Sequence, residues 1–325
     1  MSFLARGLSA LVVRCVAGRK ERDGGVDPAR FGIALQDPRC FGRARAILTA
    51  FFLGFERGLE SPDGAERAAA GVDPLVKPFF HEGFAMGSIP NGYLRLVPSA
   101  RTLSRFEARF PESDPFVFLR YVGVGFWLGF RHGMRPWKVD RLALRLRGNK
   151  YAPLIHDGFG FQVGFFSHRH VTSAGSAALH SLEGLEGFAR ASAANGLGRS
   201  LWFFTMDSPH RGVGIARRLG TLSLDVLGGL GLAAAFTFPD ELSRAYGLAD
   251  TLPPEERRTF LKGVRIALYV RHRCDASLLE RWLGGLPAPL GDRARADLDR
   301  ALRVGGEAMH KVDFIEAFHR GCLDG

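Results

Sequence analysis

The sequence predicts an all-α fold of quasi-repeated helical units, each about 70 residues long, stacked or ring-like around an apolar core. Three observations predict it. Apolar residues recur at three- and four-residue spacing through most of the chain, and strand signals are scarce. A tetrad also returns: His81-Glu82-Gly83-Phe84 recurs as His156-Asp157-Gly158-Phe159, 75 residues later.

Helical spacing marks residues 2–17, 42–59, 115–131, 175–193, 221–237, 255–273 and 292–319. Residues 1–30 read as an N-terminal amphipathic helix, with Phe3, Leu4, Leu8, Leu11, Val12 and Cys15 on one face. Arg6 and Arg14 break its apolar run, so a signal peptide is not expected. Breakers separate the helices at Ser61–Gly64, Gly87–Gly92, Pro111–Pro115, Pro209–Gly212, Pro253–Pro254 and Pro287–Gly291. Only Arg141–Arg147 alternates, with Leu142, Leu144 and Leu146 on one side, as a short strand or a helix edge. The organisation expected is one helical domain over 31–285 and a C-terminal helix over 286–325 packed on it.

The echo extends beyond the tetrads. Gly123-x-Gly125 starts 42 residues after His81, and Gly196-x-Gly198 starts 40 after His156. A fainter third copy runs from Asp225, with Gly228 and Gly229, to Gly263. The longest apolar stretch, Leu222–Phe238, contains Asp225 and three Gly, and reads as a buried helix packed through small residues rather than a membrane span.

Of 325 residues, 44 are Lys or Arg and 33 Asp or Glu, giving a formal charge of +11. Only six are Lys, and the other 38 are Arg. With 41 Gly, this points to coding bias as much as to an anionic partner. A nucleic-acid partner rests on charge alone and is not expected. The apolar fraction of 46% and the 27 Phe exclude disorder as the main state. Cys15, Cys40, Cys274 and Cys322 are scattered, which fits neither a disulfide framework nor a zinc ribbon and points to a reducing, cytoplasmic setting.

Chemistry is sought first in the tetrads. If the units are pseudosymmetric, His81 and Glu82 converge with His156 and Asp157 on one cavity. Paired carboxyls in an apolar site are driven to different pKa values, one acid and one base, and adjacent His suits proton relay. The alternative is that each acid anchors a helix N-terminus. Arg199, inside the apolar run Gly198–Phe204, requires a partner: Asp157, Asp207, Asp225 or a ligand anion. Asp225 is the mirror case, an acid in an apolar helix.

Other motifs carry less. Glu307-x-x-His310 and Glu316-x-x-His319 have a metal-binding form, but on one helix they face opposite ways. His168-x-His170 is weaker still. Gly158-x-Gly160 and Gly229-x-Gly231 lack the preceding strand of a dinucleotide loop and read as helix-packing glycines. No cofactor is implied, and metal dependence is open. Clusters of Phe, such as Phe159, Phe161, Phe165 and Phe166, can form a core or line an apolar pocket. Arg131–Lys150 holds seven basic residues and one acid, a possible docking face.

In order along the chain, several motifs resemble a bacterial family of unknown function that includes an accessory protein of enediyne polyketide gene clusters. They are Glu82-Gly83-x-Ala85-Met86-Gly87, Tyr121-Val-Gly-Val-Gly125, Asp157-Gly158-Phe-Gly160-Phe161, Gly196-x-Gly198-Arg199-Ser200-Leu201-Trp202-Phe203 and Asp225-x-x-Gly228-Gly229-x-Gly231. The chain departs from that pattern at Gln162, where a His is associated with the family, and at Val226-Leu227, where an aromatic is. The resemblance implies specialised metabolism and a long apolar polyene-like intermediate as ligand. It further implies an acyl carrier protein or polyketide synthase as partner. Glu82, Asp157, Asp225, Arg199, His81 and His156 are the residues expected to act on that ligand. A non-catalytic binding or assembly role stays open beside it.

Overall fold

Helix starts are written into the chain as acid-proline and proline-led steps. Asp37 caps the first long helix by accepting from the Arg39 N–H at 2.9 Å, and Pro38 opens it with a fixed φ and no orphaned donor. Pro136, Pro209 and Pro254 open three others in the same way. The computed structural model describes residues 25–94, 99–132, 135–146, 150–166 and 182–324, and among these there are fifteen α-helices and no strand.

In order they are α1 (Pro38–Glu60), α2 (Ala65–Ala68), α3 (Lys77–Leu94), α4 (Ser99–Arg109), α5 (Val117–His132), α6 (Pro136–Ala143), α7 (Leu154–Phe166) and α8 (Gly187–Phe203). Then come α9 (Pro209–Arg217), α10 (Ser223–Thr237), α11 (Ser243–Asp250), α12 (Pro254–Cys274), α13 (Ala276–Gly284), α14 (Ala288–Ala308) and α15 (Phe314–Asp324).

The all-α expectation holds, with corrections to its elements. Of the expected helix 175–193, residues 175–181 lie outside the described residues, 182–184 form a turn, and the described helix runs from Gly187. The Gly87–Gly92 breaker lies inside α3, which continues through Pro90. Helix 292–319 is two helices, α14 and α15, so Glu307/His310 and Glu316/His319 sit on different elements. The alternating Arg141–Arg147 stretch ends α6 and enters a 3-10 turn at Leu144–Leu146. The expected helix at 2–17 and the His168-x-His170 pair fall outside the described residues.

Seven helices, α1, α3, α5, α7, α8, α10 and α12, pack side by side in that order, mostly with a short helix between successive members. Backbone is pressed on backbone at each junction. A Cβ on Gly83, Gly123, Gly158, Gly196, Gly229 or Gly263 would overlap a carbonyl oxygen of the preceding helix in the series. The carbonyls met are those of Phe51, Glu82, Val122, Asp157, Asn195 and Gly228. Two positions on, Gly125, Gly160, Gly198 and Gly231 make the matching approach to the following helix. Residues two apart on a helix point to nearly opposite sides, so a Gly-x-Gly step lets one helix be gripped from both flanks.

The sequence reading of these Gly-x-Gly steps as packing motifs is what the structure shows. The full step occurs on α5, α7, α8 and α10. The glycine that meets the preceding helix recurs on each helix of the series from α3 to α12, at about half the expected 70-residue interval. Gly54 and Gly58 of α1 meet Phe80 and Phe84 of α3 in ascending order, so these neighbours run parallel.

The series curls until its ends meet. Phe79 of α3 packs edge-on against Phe236 of α10 at 5.3 Å, and Arg43 of α1 reaches Asp240 and the Thr237 carbonyl at the end of α10. Arg271 of α12 donates to the carbonyls of Leu75 and Phe236. By length and composition Gly220–Thr237 could cross a membrane, but two thirds of it is buried between neighbouring helices. The C-terminal α14 and α15 pack on α12, where Asp297 accepts from Arg265 (2.7 Å) and Tyr246 (2.9 Å).

Candidate functional site

The register of the glycines decides where polar side chains go. The residue just before each glycine that meets the preceding helix is Glu82 on α3, Val122 on α5, Asp157 on α7, Asn195 on α8, Gly228 on α10 and Lys262 on α12. Equivalent register on neighbouring parallel helices lines these positions up through the interior. Four of the six carry a polar side chain, and all four are buried.

Arg199, one turn beyond Asn195 on α8, gathers three of them. Its Nη1 donates to Asp157 Oδ1 in a direct ion pair, and its Nη2 lies 3.7 Å from Glu82 Oε1. The Asn195 amide, oriented by its neighbours, donates to Asp157 Oδ2 and accepts from the Gly229 N–H, both at 3.0 Å. The guanidinium also sits 5.2 Å over the Phe161 ring.

The two carboxyls differ in what holds them. Burial pushes both upward. Asp157 receives donors on both oxygens, which favours its anion and makes it the answering charge for Arg199. Glu82 has no hydrogen bond to its side chain among the described residues. Its burial outweighs the pull of Arg199, Asp157 repels a second charge, and its pKa stands at about 7. It is a carboxyl poised to hold or release a proton near neutrality.

Glu82 and Arg199 form the only polar wall of a narrow, partly open cleft with a cavity volume of about 30 Å³. Eight of its twelve lining residues are Phe, among them Phe51, Phe126, Phe161, Phe165 and Phe203. Phe31 lies across Phe52, Phe165 and Phe166 with ring centroids 5.4, 5.7 and 6.5 Å away. That ring is set by a 3-10 turn, Pro28–Phe31, capped by Asp27 and closed by Gly32 at φ 76°.

Residues 26–275 match the family described as protein of unknown function (DUF1702). The chain belongs to that family. No curated protein and no solved structure matches it.

Of the six residues singled out from sequence in this family member, the structure brings together Glu82, Asp157 and Arg199. The other three do not join them. His81 is fully buried, stacked on Phe116 at 3.7 Å, with neither ring nitrogen hydrogen-bonded and its pKa pushed to about 2 by burial. His156 faces Asp140 of α6, Nε2 to Oδ1 3.1 Å. Successive helix residues diverge by about 100°, so a His beside an inward acid cannot share its target.

Asp225, one of the acids considered as a partner of Arg199, instead sits half-buried in the first turn of α10 facing Lys262 and Arg190. Asp207 is also elsewhere, accepting from the Gln36 N–H at 2.7 Å. The alternative role of the tetrad acids as helix anchors is not what Glu82 and Asp157 do, since both side chains address Arg199.

Sequence reasoning missed Asn195 and Lys262. The signal was present: both stand immediately before a recurrent glycine, as Glu82 and Asp157 do. Among the described residues no group of three His, Cys, Asp or Glu is placed to hold a metal ion.

Proposed function

We propose that this protein of specialised metabolism binds a long apolar, unsaturated ligand of the polyene or polyketide type in the Phe-lined cleft. Glu82 then transfers a proton at its inner end. The observation that carries the reading is Glu82 itself, a carboxyl with a pKa of about 7 in a wall that is otherwise mostly Phe. Aromatic walls suit a conjugated chain through area burial and stacking. The Arg199–Asp157 pair fixes the field in which Glu82 titrates. The motif resemblance supports an enediyne-type intermediate as the substrate, and the scattered cysteines support a cytoplasmic setting.

A second reading, a non-catalytic partner docking an acidic carrier protein, is favoured by one surface. Trp137 and Leu144 are 53% and 43% exposed among Arg135, Lys138, Arg141 and Arg145. The two readings can be combined, since a carrier could deliver the chain to the cleft.

Titration with a fluorescent conjugated tetraene fatty acid tests the first reading. Saturable fluorescence enhancement is expected in the native protein, and its loss in Leu48→Trp, which fills the cleft, with the fold checked by thermal melt. No saturable signal from the native protein sinks the binding claim. Product formation by a producing strain carrying folded Glu82→Gln tests the chemistry, and undiminished product removes Glu82 from catalysis.

A further inference from the structure

Lys262 is the odd member of the interior register. Of the described lysines it alone is buried, with the residue 8% exposed. Its side chain lies across Gly228: a Cβ there would stand 3.2 Å from Lys262 Cε and 3.4 Å from Nζ. The missing side chain on α10 is what makes room for the amine. Yet the ammonium forms no ion pair or hydrogen bond with any described residue. The other described lysines that are partly buried each find something: Lys77 has Glu66 at 3.9 Å, Lys150 has Glu112 at 2.6 Å, and Lys138 lies over Trp137.

A second basic group near it is also incompletely used. Arg190, in the first turn of α8, reaches the start of α10 through a long 3.4 Å contact from Nη2 to Thr221 Oγ1. Its Nε is buried without a partner. Both cations influence Asp225, which ion-pairs with neither. Two basic groups thus face one carboxyl, burial lowers the pKa of Lys262 and raises that of Asp225, and each base has donors to spare. His319 of α15 adds none of this charge, because burial and Lys262 hold its pKa at about 3. The α8 N-terminus, whose N-cap Glu186 makes no side-chain cap, adds the positive end of a 17-residue helix. A buried cation left unpaired is costly, and such arrangements persist where a ligand completes them.

We propose that Arg190 and Lys262 form a binding site for a small oxyanion, the carboxylate or phosphate group of a ligand, beside the starts of α8 and α10. The site is separate from the Phe-lined cleft, whose lining includes neither residue. An anion there satisfies the Lys262 ammonium and the Arg190 Nε at once.

Thermal melts of the full-length protein in chloride, acetate and inorganic phosphate at equal ionic strength test it. Acetate or phosphate is expected to raise Tm saturably over chloride, by about 5 °C at ~100-fold over its Kd, and whichever does so names the anion class. Lys262→Met should melt higher than the native protein in chloride, because an unpaired buried charge is gone, and should lose the anion-dependent rise. Arg190→Gln, closer to the surface, should remain folded and require at least tenfold more anion. The proposal is overturned if neither anion gives a saturable rise, or if the rise persists unchanged in Arg190→Gln and Lys262→Met.

Discussion

His81-Glu82-Gly83-Phe84 and His156-Asp157-Gly158-Phe159 occupy equivalent places on α3 and α7. Each glycine lies against the carbonyl of the preceding helix, each Phe is buried, and each acid turns toward Arg199. They part at the acid. Asp157 is held by Arg199 and Asn195, whereas Glu82, with a longer side chain, stops 3.7 Å short and receives no donor. One motif therefore supplies a fixed charge and the other a titratable one. A matching motif does not assign a role; the length of the acid and its neighbours do.

The largest effect should be one the two copies share. Gly158→Ala and Gly83→Ala each force a Cβ into a backbone carbonyl, where no rotamer change relieves it. Each is expected to cost more than about 4 kcal/mol, read as loss of cooperative unfolding in urea. Gly214→Ala is the control: nothing lies within 4 Å of its Cβ position on α9, and a gain of up to about 1 kcal/mol is expected. Similar losses at all three positions would mean that close helix approach is not what these glycines serve.

Next come the acids, where the copies should differ. Asp157→Asn strands a buried guanidinium and is expected to cost about 3–5 kcal/mol in chemical denaturation. Glu82→Gln should cost far less at pH 7 and should change the pH dependence. Folded Glu82 keeps its proton up to about pH 7, whereas an unfolded carboxyl releases it near 4.5. Stability therefore falls as pH rises through that window, by about 2 kcal/mol between pH 5 and 7. Glu82→Gln should remove this slope, and an unaltered slope would place the titration elsewhere.

The smallest effect concerns the His of the first copy. His81 has a folded pKa of about 2 against 6.5 unfolded, so it favours the native state above pH 6.5 and less so as pH falls. His81→Phe keeps the stack on Phe116 and removes two orphaned nitrogens. It should change stability at pH 7 by less than about 1 kcal/mol and flatten the acid limb of the pH profile.

The helical class, the glycine packing and the trio of Glu82, Asp157 and Arg199 were readable in the sequence. Helical periodicity, Gly-x-Gly steps and buried charge leave local traces. Pairing was not readable, because it depends on helix order and crossing. Arg199 and Asp225 share an apolar setting in the chain, yet Asp225 lies at a helix start where Lys262 and Arg190 reach it. The His residues misled for a simpler reason: adjacency in sequence is divergence on a helix. The breaker at Gly87–Gly92 failed because Gly87 serves the contact with Phe55 rather than a turn.

The glycines that meet the preceding helix separate scaffold from chemistry. Because the close approach uses only backbone and the missing Cβ, the side chain just before each glycine takes no part in it, although all of these residues but Lys262 lend a carbonyl to the next junction. Those six positions act as sockets along one inner seam, filled here by a carboxylic acid, a valine, a carboxylate, an amide, a glycine and an amine. A lineage that rewrites this seam leaves the glycine contacts in place, but must change residues together where one answers another, as Asp157 answers Arg199 and Gly228 makes room for Lys262.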